Sequence, residues 1–275
     1  MHITVCIKQV PETASVRINP ETNTLTREGT EGVINPFDEF ALEIALELKD
    51  LHGSYLTVLS MGPPQAVSVL REALARGADN AVLLSDHAFA GSDTWATSYT
   101  LARAIQRFPE PPDLILFGKQ AVDGDTAQVG PGVSQFLDLP LITNVLSLQL
   151  TDEEFTAETL MDDGLNIVRG RIPVVMTVSK GAAAPRFASL AGWMKASEAS
   201  VPAWSAEDIS ADPSLTGLKG SPTRVKEIFT PPAREGGVRI DAREKPEDAV
   251  RAIGDVLKMF KDVRNQQGDD CEKRL

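Results

Sequence analysis

Apolar strands alternate with amphipathic helices over residues 1–140, and this alternation constrains the fold more than any other feature of the chain. The strands are rich in Val, Ile and Leu, as strands buried on both faces are. The order strand–helix–strand–helix predicts an α/β fold in which a parallel sheet carries helices on both faces. The predicted strands are 2–8, 54–60, 80–85 and 113–118, and the predicted helices are 37–49, 64–77, 93–108 and 126–139.

The helix over 37–49 shows the pattern clearly, because its apolar residues recur at helical spacing on one face. These residues are Phe37, Phe40, Ala41, Ile44, Ala45 and Leu48. Asn35 followed by Pro36 is typical of a helix start, with an asparagine N-cap and proline at the first helical position.

The pattern changes after residue 140. Short alternating segments predict antiparallel additions to the sheet at 145–150, 155–160 and 166–172, and an apolar strand resumes at 173–179. Beyond residue 190 the chain is rich in Pro, Ser, Gly and Ala and shows little periodicity, so we expect an extended arm. An amphipathic helix is predicted at 245–263. The chain is therefore divided into an α/β domain, 1–190, and a C-terminal arm with a helix, 191–275.

Composition excludes several classes of function. A net charge of −12 argues against a nucleic-acid partner, because phosphates require a basic surface. No apolar stretch approaches the roughly 20 residues that span a bilayer, so membrane insertion is not expected. The first residues do not resemble a secretory signal, and the cytoplasm is the expected location. With only two cysteines, Cys6 and Cys271, neither a disulfide framework nor a cysteine metal site is expected.

The loops that follow the predicted strands are the candidate binding site, because ligands of parallel sheets bind at the carboxyl ends of strands, near a switch in strand order. No loop contains GxGxxG or GxxxxGK[ST], and no Ser-His-Asp or Cys-His arrangement supports hydrolase chemistry. The segments that we expect to converge are KQVPET (8–13), INPFDEFA (34–41), SMGPPQA (60–66), AGSDTWAT (90–97) and GKQAVDGDTAQVGP (118–131).

Two predicted helix starts in these loops, at 93–97 and 126–128, offer free N–H groups that bind phosphate without a lysine. Together they are able to hold two linked phosphates. Hydroxyl groups that add hydrogen bonds there belong to Thr94, Thr97 and Thr126.

Simpler interpretations stay open for the acidic residues of these loops. Asp93 and Thr94 are residues that also cap a helix. Asp123 and Asp125 are also turn formers, and their spacing loosely suits a metal ion, but no further acid or histidine completes such a site.

Several motifs, in this order, resemble the beta (small) subunit of electron transfer flavoproteins. They are VCIKQVPET, INPFDEFALEIALELK, MGPPQA, REALARGAD, DLILFGKQAVDGDTAQVGP, PRFASLAGWMKA and GLKGSPT, which together cover nearly the whole chain before the last predicted helix. The resemblance implies a flavodoxin-like, adenine nucleotide alpha hydrolase-like α/β fold. It also implies an electron-carrier subunit, not an enzyme on its own, in a heterodimer whose alpha subunit carries FAD and is wrapped by the arm.

The family divides by the nucleotide that the small subunit binds, which is either a structural AMP or, in the electron-bifurcating type, a second FAD. AFAGSDTWATS (88–98) is similar to the segment that holds FAD in the second type, as are DGDTAQVGP, SMGPPQA and GLKGSPT. The bifurcating type accepts hydride from NADH and delivers electrons to ferredoxin or flavodoxin and, through the alpha subunit, to an acyl-CoA dehydrogenase-type flavoprotein. The alternatives are the AMP type and a stand-alone nucleotide-binding module.

The resemblance also implies which residues contact the nucleotide. They are Cys6, Lys8, Asn35, Phe37, Asp38, Met61, Asp93, Thr94, Thr97 and the run Gly118, Lys119, Gln120, Ala121, Val122, Asp123, Gly124, Asp125, Thr126, Ala127, Gln128 and Val129. Leu190 occupies the place of the leucine with which the family docks onto a dehydrogenase. Its alternative interpretation is an ordinary exposed leucine.

Overall fold

Two compact units make up the chain, Met1–Ile228 and Phe229–Leu275. The computed structural model describes residues 1–12, 17–18, 25–26, 32–151, 153–226 and 240–258. In the second unit, residues 246–258 are helical, in agreement with the predicted helix; its last five predicted residues, 259–263, lie outside the described residues.

The first unit is an α/β structure, as predicted. Its strands are β1 (His2–Cys6), β2 (Gln9–Pro11), β3 (Arg17–Ile18), β4 (Leu25–Thr26), β5 (Gly32–Ile34), β6 (Tyr55–Met61), β7 (Asn80–Leu84), β8 (Leu114–Gly118), β9 (Leu141–Thr151), β10 (Glu154–Met161), β11 (Gly164–Arg171), β12 (Val174–Val178) and β13 (Ala203–Trp204). Its helices are α1 (Pro36–His52), α2 (Val67–Arg76), α3 (Thr94–Gln106), α4 (Val129–Leu137), α5 (Leu190–Glu198) and α6 (Gly217–Gly220).

Nine strands form one sheet, in the order β11-β10-β9-β12-β8-β1-β6-β7-β13. The pairs from β9 to β13 in this order are parallel, whereas β9–β10 and β10–β11 are antiparallel. The predicted antiparallel additions are thereby confirmed as an extension of the parallel sheet on one side.

The switch in strand order lies between β1 and β8. From β1 the chain moves outward through β6 and β7, and then returns to place β8 on the other side of β1. Such a switch opens a crevice at the carboxyl ends of the two central strands, where ligands of open α/β sheets bind. The loops after Cys6 and Gly118 border this crevice.

Helices cover both faces of the parallel part of the sheet, where β1, β8 and β12 are buried along their whole length. One core contains α1, α2 and α5, with Leu42, Leu70 and Ala196 packed against Val5 and Val58. The core on the opposite face contains α3 and α4 and is packed around Phe117; it includes Leu101, Val133 and Ile209.

Residues beyond 190 carry more structure than the sequence predicts. The first compact unit extends to Ile228, and β13 pairs with β7 as a ninth strand. Helix α5 packs so closely on α2 that a Cβ on Gly192 would lie 2.1 Å from the Ala75 carbonyl oxygen. Because Ala196 is its one buried side chain, α5 has no apolar stripe by which sequence periodicity would detect it. Among the described residues, no helix is long and apolar enough to cross a membrane.

Candidate functional site

Asp38, in the first turn of α1, contacts the chain just after β1 and the last residue of β8, which border the crevice. Its Oδ2 accepts a hydrogen bond from the Lys8 N–H at 2.7 Å, and its Oδ1 accepts one from the Gly118 N–H at 3.1 Å. A side chain at position 118 would collide with this carboxylate, since a Cβ there would lie 2.3 Å from Oδ1. Asp38 therefore joins the ends of the two central strands through their backbones.

Burial changes the acidity of the groups in this crevice. Desolvation raises the pKa of Asp38 to about 7, although hydrogen bonds from Asn35, Lys8 and Gly118 partly oppose the shift. Burial, with the nearby Asp38 carboxylate, also raises the pKa of the Cys6 thiol well above its usual range. Cys6 is therefore a protonated, apolar residue of the core, not a nucleophile.

Asn35 stands at the predicted N-cap of α1, with Pro36 at the first helical position, but its side chain does not cap the helix. It is fully buried, and its Nδ2 donates to the Gln120 carbonyl at 2.8 Å while its Oδ1 accepts from the Val122 N–H at 3.1 Å. The predicted N-cap position and the proline after it are therefore confirmed, but the side chain does not supply a capping hydrogen bond. The amide is used instead to hold the loop that follows β8.

That loop, residues 119–128, crosses the end of the sheet and is exposed over most of its second half. Its first residue is anchored to β12 by the Lys119 N–H, which donates to the Val178 carbonyl at 2.8 Å. Asp125 and Ala127 both adopt positive φ, of 50° and 53°. A Cβ on Gly124 would meet no atom within 4 Å, so the backbone there is open to a ligand.

The acidic residues of the loop have protein partners. Lys8 Nζ pairs with both oxygens of Asp123, at 2.7 and 2.8 Å, and the Gln120 amide donates to Asp125 at 2.8 Å. In the described part of the chain, no three His, Cys, Asp or Glu side chains come together as metal ligands. Lys8 and Gln120 are thus the hydrogen-bond partners of these two acids among the described residues.

Helix α4 begins later than predicted, at Val129 and not at 126, because Asp125 and Ala127 have left-handed backbones that a helix cannot include. Its N-cap residue, Gln128, makes no side-chain hydrogen bond to the helix. The N–H groups of Val129 and Gly130 are thus left without a side-chain cap, which is the arrangement that binds a phosphate oxygen.

Helix α3 starts differently, because Asp93 caps it. The carboxylate accepts hydrogen bonds from the N–H groups of Trp95 at 3.0 Å and Ala96 at 3.1 Å, so the capping interpretation is confirmed for Asp93. Partial burial opposes ionisation of this carboxyl, but hydrogen bonds from Ala96 and Thr223 outweigh it and lower the pKa of Asp93. Two of the N–H groups predicted to be free at this start are therefore occupied.

The two helix starts nevertheless lie together. Ser98 Oγ donates to the Thr94 carbonyl at 2.7 Å and lies 3.2 Å from the Val129 carbonyl, which links the first turns of α3 and α4. The approach is close enough that a Cβ on Gly132 would lie 2.3 Å from the same hydroxyl. Within the described residues, the hydroxyls of Thr94 and Thr97 make no hydrogen bond to the protein, although both side chains are partly exposed.

The remaining predicted residues divide into two groups. Phe37 and Met61 are partly buried near the ends of α1 and β6, beside the crevice. Leu190 lies apart, as the first residue of α5 on the outer side of α2. Leu190 is 80% exposed, and its sequence neighbours Phe187, 99% exposed, and Met194 are also exposed; these three residues are here called the apolar surface.

Sequence reasoning missed the polar residues that assemble this region, which are Ser92, Ser98, Ser221 and Thr223. A serine or threonine in a loop gives no periodic signal. The one available signal was the motif GLKGSPT, whose hydroxyl residues the structure brings to the start of α3.

Comparison with known proteins shows the family to which the chain belongs. The electron transfer flavoprotein domain matches residues 22–209, more than half of the chain. The chain belongs to the electron transfer flavoprotein family. Three relatives agree with this assignment over nearly their whole length.

The FixA protein of Bradyrhizobium diazoefficiens is 46% identical over 258 residues, covering 91% of this chain and 90% of its own. The electron transfer flavoprotein subunit beta of Megasphaera elsdenii is 45% identical over 256 residues, covering 91% and 95%. Subunit CarD of the caffeyl-CoA reductase–Etf complex of Acetobacterium woodii is 46% identical over 241 residues, covering 87% and 92%. The chain is therefore an electron-carrier subunit of the beta type, which works in a complex with a partner subunit.

Proposed function

We propose that this chain is the beta subunit of a bifurcating electron transfer flavoprotein and that it binds FAD at the carboxyl edge of its sheet. The observation that carries the proposal is the junction of the α3 and α4 starts through Ser98, which brings two potential phosphate sites together. A diphosphate needs two such sites, whereas a single phosphate needs one. The residues implied by the resemblance remain the proposed nucleotide site: Thr94, Thr97 and the backbone of 118–129 would contact the nucleotide. The side chains of Asn35, Asp38 and Asp93, which are bonded within the chain, would hold these elements in place.

The residues at the edge fit a dinucleotide. The free N–H groups of Val129 and Gly130 suit one phosphate, and the hydroxyls of Thr94 and Thr97 suit the other. The exposed backbone at Gly124 lets a ligand approach without a side chain in the way. Lys8, Lys119 and Lys180 each follow the carboxyl end of a central strand, so cations gather at this edge of a chain whose net charge is −12.

When bound, FAD would supply the redox chemistry, taking hydride from NADH and passing electrons to ferredoxin or flavodoxin and to the FAD of the alpha subunit. The chain's own contribution is to hold and orient the nucleotide and to set the charge around it. Lys8 is the proposed cation beside the flavin, since a positive charge stabilises an anionic reduced form. Its pairing with Asp123 moderates that charge.

A second candidate is the AMP-binding type of the same subunit, and one observation favours it. The Asp93 carboxylate occupies N–H groups of Trp95 and Ala96, which leaves α4 as the one uncapped helix start of the two. A single phosphate cradle is what AMP requires. The two candidates therefore differ in the number of helix starts that bind a phosphate: both α3 and α4 for FAD, and α4 alone for AMP.

Partner contacts are proposed at two surfaces. The apolar surface of Phe187, Leu190 and Met194 would dock onto an acyl-CoA dehydrogenase-type flavoprotein. In the second unit, helix 246–258 exposes Val250, Ile253 and Leu257 at helical spacing, and this stripe would pack against the alpha subunit together with the arm. Truncation of Leu190 to alanine is expected to slow electron transfer to the dehydrogenase without releasing nucleotide.

The test uses the complex co-expressed with its alpha subunit. The double variant Thr94→Val/Thr97→Val removes two hydroxyls and little else, so we expect the complex to lose FAD from this chain and to lose NADH-driven ferredoxin reduction. Thr156→Val, on β10 and remote from the crevice, is the matched control. Unchanged flavin content in the double variant, or AMP in place of the second FAD in the parent complex, would refute the proposal.

A further inference from the structure

The two oxygens of the Asp93 carboxylate serve different parts of the chain. Oδ1 accepts from the Trp95 and Ala96 N–H groups and caps α3. Oδ2 accepts from the Thr223 N–H at 2.9 Å and from the Thr223 hydroxyl at 2.7 Å. One side chain thus connects the start of α3 with a segment that lies 130 positions further along the sequence.

The whole of residues 216–223, here called the arm segment, is fitted against the loop that precedes α3. Ser221 Oγ accepts from the Asp93 N–H at 2.8 Å, and the Gly217 N–H donates to Ser92 Oγ at 3.1 Å. The Leu218 N–H donates to the Ala90 carbonyl at 3.0 Å. These contacts follow the loop from residue 90 to residue 93, so the arm segment and the loop form one layer.

The backbone of the arm segment is shaped for this contact. Gly217 has a φ of +59°, and a Cβ there would lie 2.3 Å from the Ala88 carbonyl oxygen. Only glycine satisfies both conditions, because other residues are strained at positive φ and would collide with the loop. The docking of the arm segment is therefore specified by sequence at Gly217 as well as at Asp93.

These contacts leave the Asp93 carboxylate with no free oxygen to offer a ligand. A carboxylate that accepts four hydrogen bonds is satisfied, and a negative charge is not itself a phosphate ligand. The residues that stay available at this start are Thr94 and Thr97, one and four positions further along. Asp93 therefore acts on a bound nucleotide through the position of these neighbours.

We propose that Asp93 is a positioning residue that fastens the arm segment to the start of α3, so that nucleotide affinity depends on the docked arm segment. The inference rests on the proposed function, which places a nucleotide phosphate beside Thr94 and Thr97. The second compact unit begins at Phe229, shortly after Thr223. Displacement of the arm segment by a bound partner would accordingly weaken nucleotide binding.

The sharpest variant is Asp93→Asn, because asparagine keeps the capping oxygen but presents an NH2 group to the two donors of Thr223. In the full complex, we expect amide hydrogen exchange to accelerate in both 216–226 and 88–97, and nucleotide dissociation constants to rise about tenfold, as the loss of a charge-assisted hydrogen bond implies. Ser214→Ala, which removes a hydrogen bond from Ser214 to Asp212 within the arm, is the matched control and should change neither quantity.

Two variants of Thr223 test the same contact from the other side. Thr223→Val removes the hydroxyl donor and should reproduce part of the effect of Asp93→Asn, whereas Thr223→Ser keeps the donor and should behave as the parent does. If the Thr223 side chain only filled space, the opposite order would be expected: Thr223→Val, which keeps its shape, would behave as the parent does, and Thr223→Ser would not. These variants also keep the test informative if Asp93→Asn does not fold.

The outcomes separate this inference from the proposed function. Faster exchange confined to 216–226, with residues 88–97 and affinity unchanged, would overturn the positioning role. Weaker nucleotide binding with no change in exchange would also overturn it, because Asp93 would then be a direct ligand. A parent complex that holds no nucleotide would refute the proposed function, while coupled exchange of the two segments would still support the fastening.

Discussion

Gly118 and Asp38 are matched to each other: the Gly118 N–H donates to Asp38 Oδ1 at 3.1 Å, and a Cβ on Gly118 would lie 2.3 Å from that same oxygen. The strand that ends at residue 118 and the helix that begins at residue 36 therefore approach by their backbones. This contact places the loop 119–128 over the crevice between β1 and β8.

Gly118→Ala is expected to destabilise the chain by about 3 kcal/mol, because the methyl group would overlap the Phe37 backbone and Asp38 Oδ1. Neither can easily move, since the Asp38 carboxylate is buried and held by hydrogen bonds from Lys8 and Gly118. Urea denaturation measures the free energy of unfolding. Gly124→Ala is the control: nothing lies within 4 Å of its Cβ, so the change should stay within about 0.5 kcal/mol. Equal effects of the two substitutions would show that the close approach at Gly118 is wrong.

Asp38 should make stability depend on pH near neutrality. Its pKa is raised from 3.8 to about 7 in the folded chain, so between these values the folded state keeps a proton that the unfolded state has released. The stabilisation is complete below about pH 4 and is lost as the pH rises through 7.

The measurement for Asp38 is the difference in unfolding free energy between the parent chain and Asp38→Asn, taken from pH 5 to pH 8. It should fall with rising pH, at most by about 1.4 kcal/mol per pH unit for one proton. Glu47→Gln, exposed on the same helix, should show no such trend. A difference that is constant with pH would mean that Asp38 does not change its protonation between pH 5 and pH 8.

Asn35→Ala is expected to cost about 2 kcal/mol, because it leaves the Gln120 carbonyl and the Val122 N–H without their partner. Amide exchange of residues 118–128 should become faster, and nucleotide affinity should fall with it. Glu47→Ala provides the control on the solvent side of α1. If affinity falls while exchange in the loop is unchanged, Asn35 contacts the nucleotide directly and does not support the loop.

Asp123→Asn should free the Lys8 ammonium group without harming the fold. The pair is exposed, so stability should change by less than about 1 kcal/mol. Affinity of the nucleotide-free complex for FAD, measured by titration calorimetry, should rise about fivefold, because Lys8 is proposed to lie beside the flavin and a unit charge there is worth roughly 1 kcal/mol at a high-dielectric surface. Lys8→Met should weaken binding, and Lys49→Met, which breaks the exposed pair with Asp79, should leave it unchanged. Weaker binding in Asp123→Asn would show that Asp123 is a ligand.

Arg186 holds the apolar surface of Phe187, Leu190 and Met194 in place. Its Nε donates to the buried carboxylate of Glu43 at 2.8 Å, and a second nitrogen donates to Asp50 at 2.7 Å. Arg186→Met would strand the Glu43 charge in the core and should cost about 3 kcal/mol.

Asp50→Asn affects the exposed end of this network and should cost less than about 1 kcal/mol. Thermal unfolding compares the two variants, and electron transfer to the dehydrogenase should fall more in Arg186→Met. Similar unfolding temperatures for both would contradict the importance of the Glu43 pair.

The fold could be predicted where an element buries a face and its apolar residues therefore recur at regular spacing. Strands β6, β7, β8 and β12 and helix α1 are apolar on the faces that they bury, and the structure has them where predicted. Helix α5 was missed because it buries one side chain, Ala196, and β13 because it consists of two residues, Ala203 and Trp204. Periodicity cannot detect elements whose packing rests on backbone contact.

The site was predictable in location but less so in detail. The order of strands points to the end of β8, and the loop found there begins at Lys119, as expected. Capping by Asp93 could be predicted from its residue type, but its bond to Thr223 could not, nor could the bonds of Asn35 to the loop 119–128. Only the fold shows which distant segment a side chain meets. The hydroxyls of Ser98 and Thr223 act across 31 and 130 positions of sequence, a separation that local pattern does not report.

The most direct test of the central claim is the nucleotide content of the complex. The chain is co-purified with its alpha subunit, the complex is denatured, and the released FAD and AMP are quantified by chromatography. We predict two FAD and no AMP per heterodimer. One FAD and one AMP would contradict it and would leave a subunit whose nucleotide is structural.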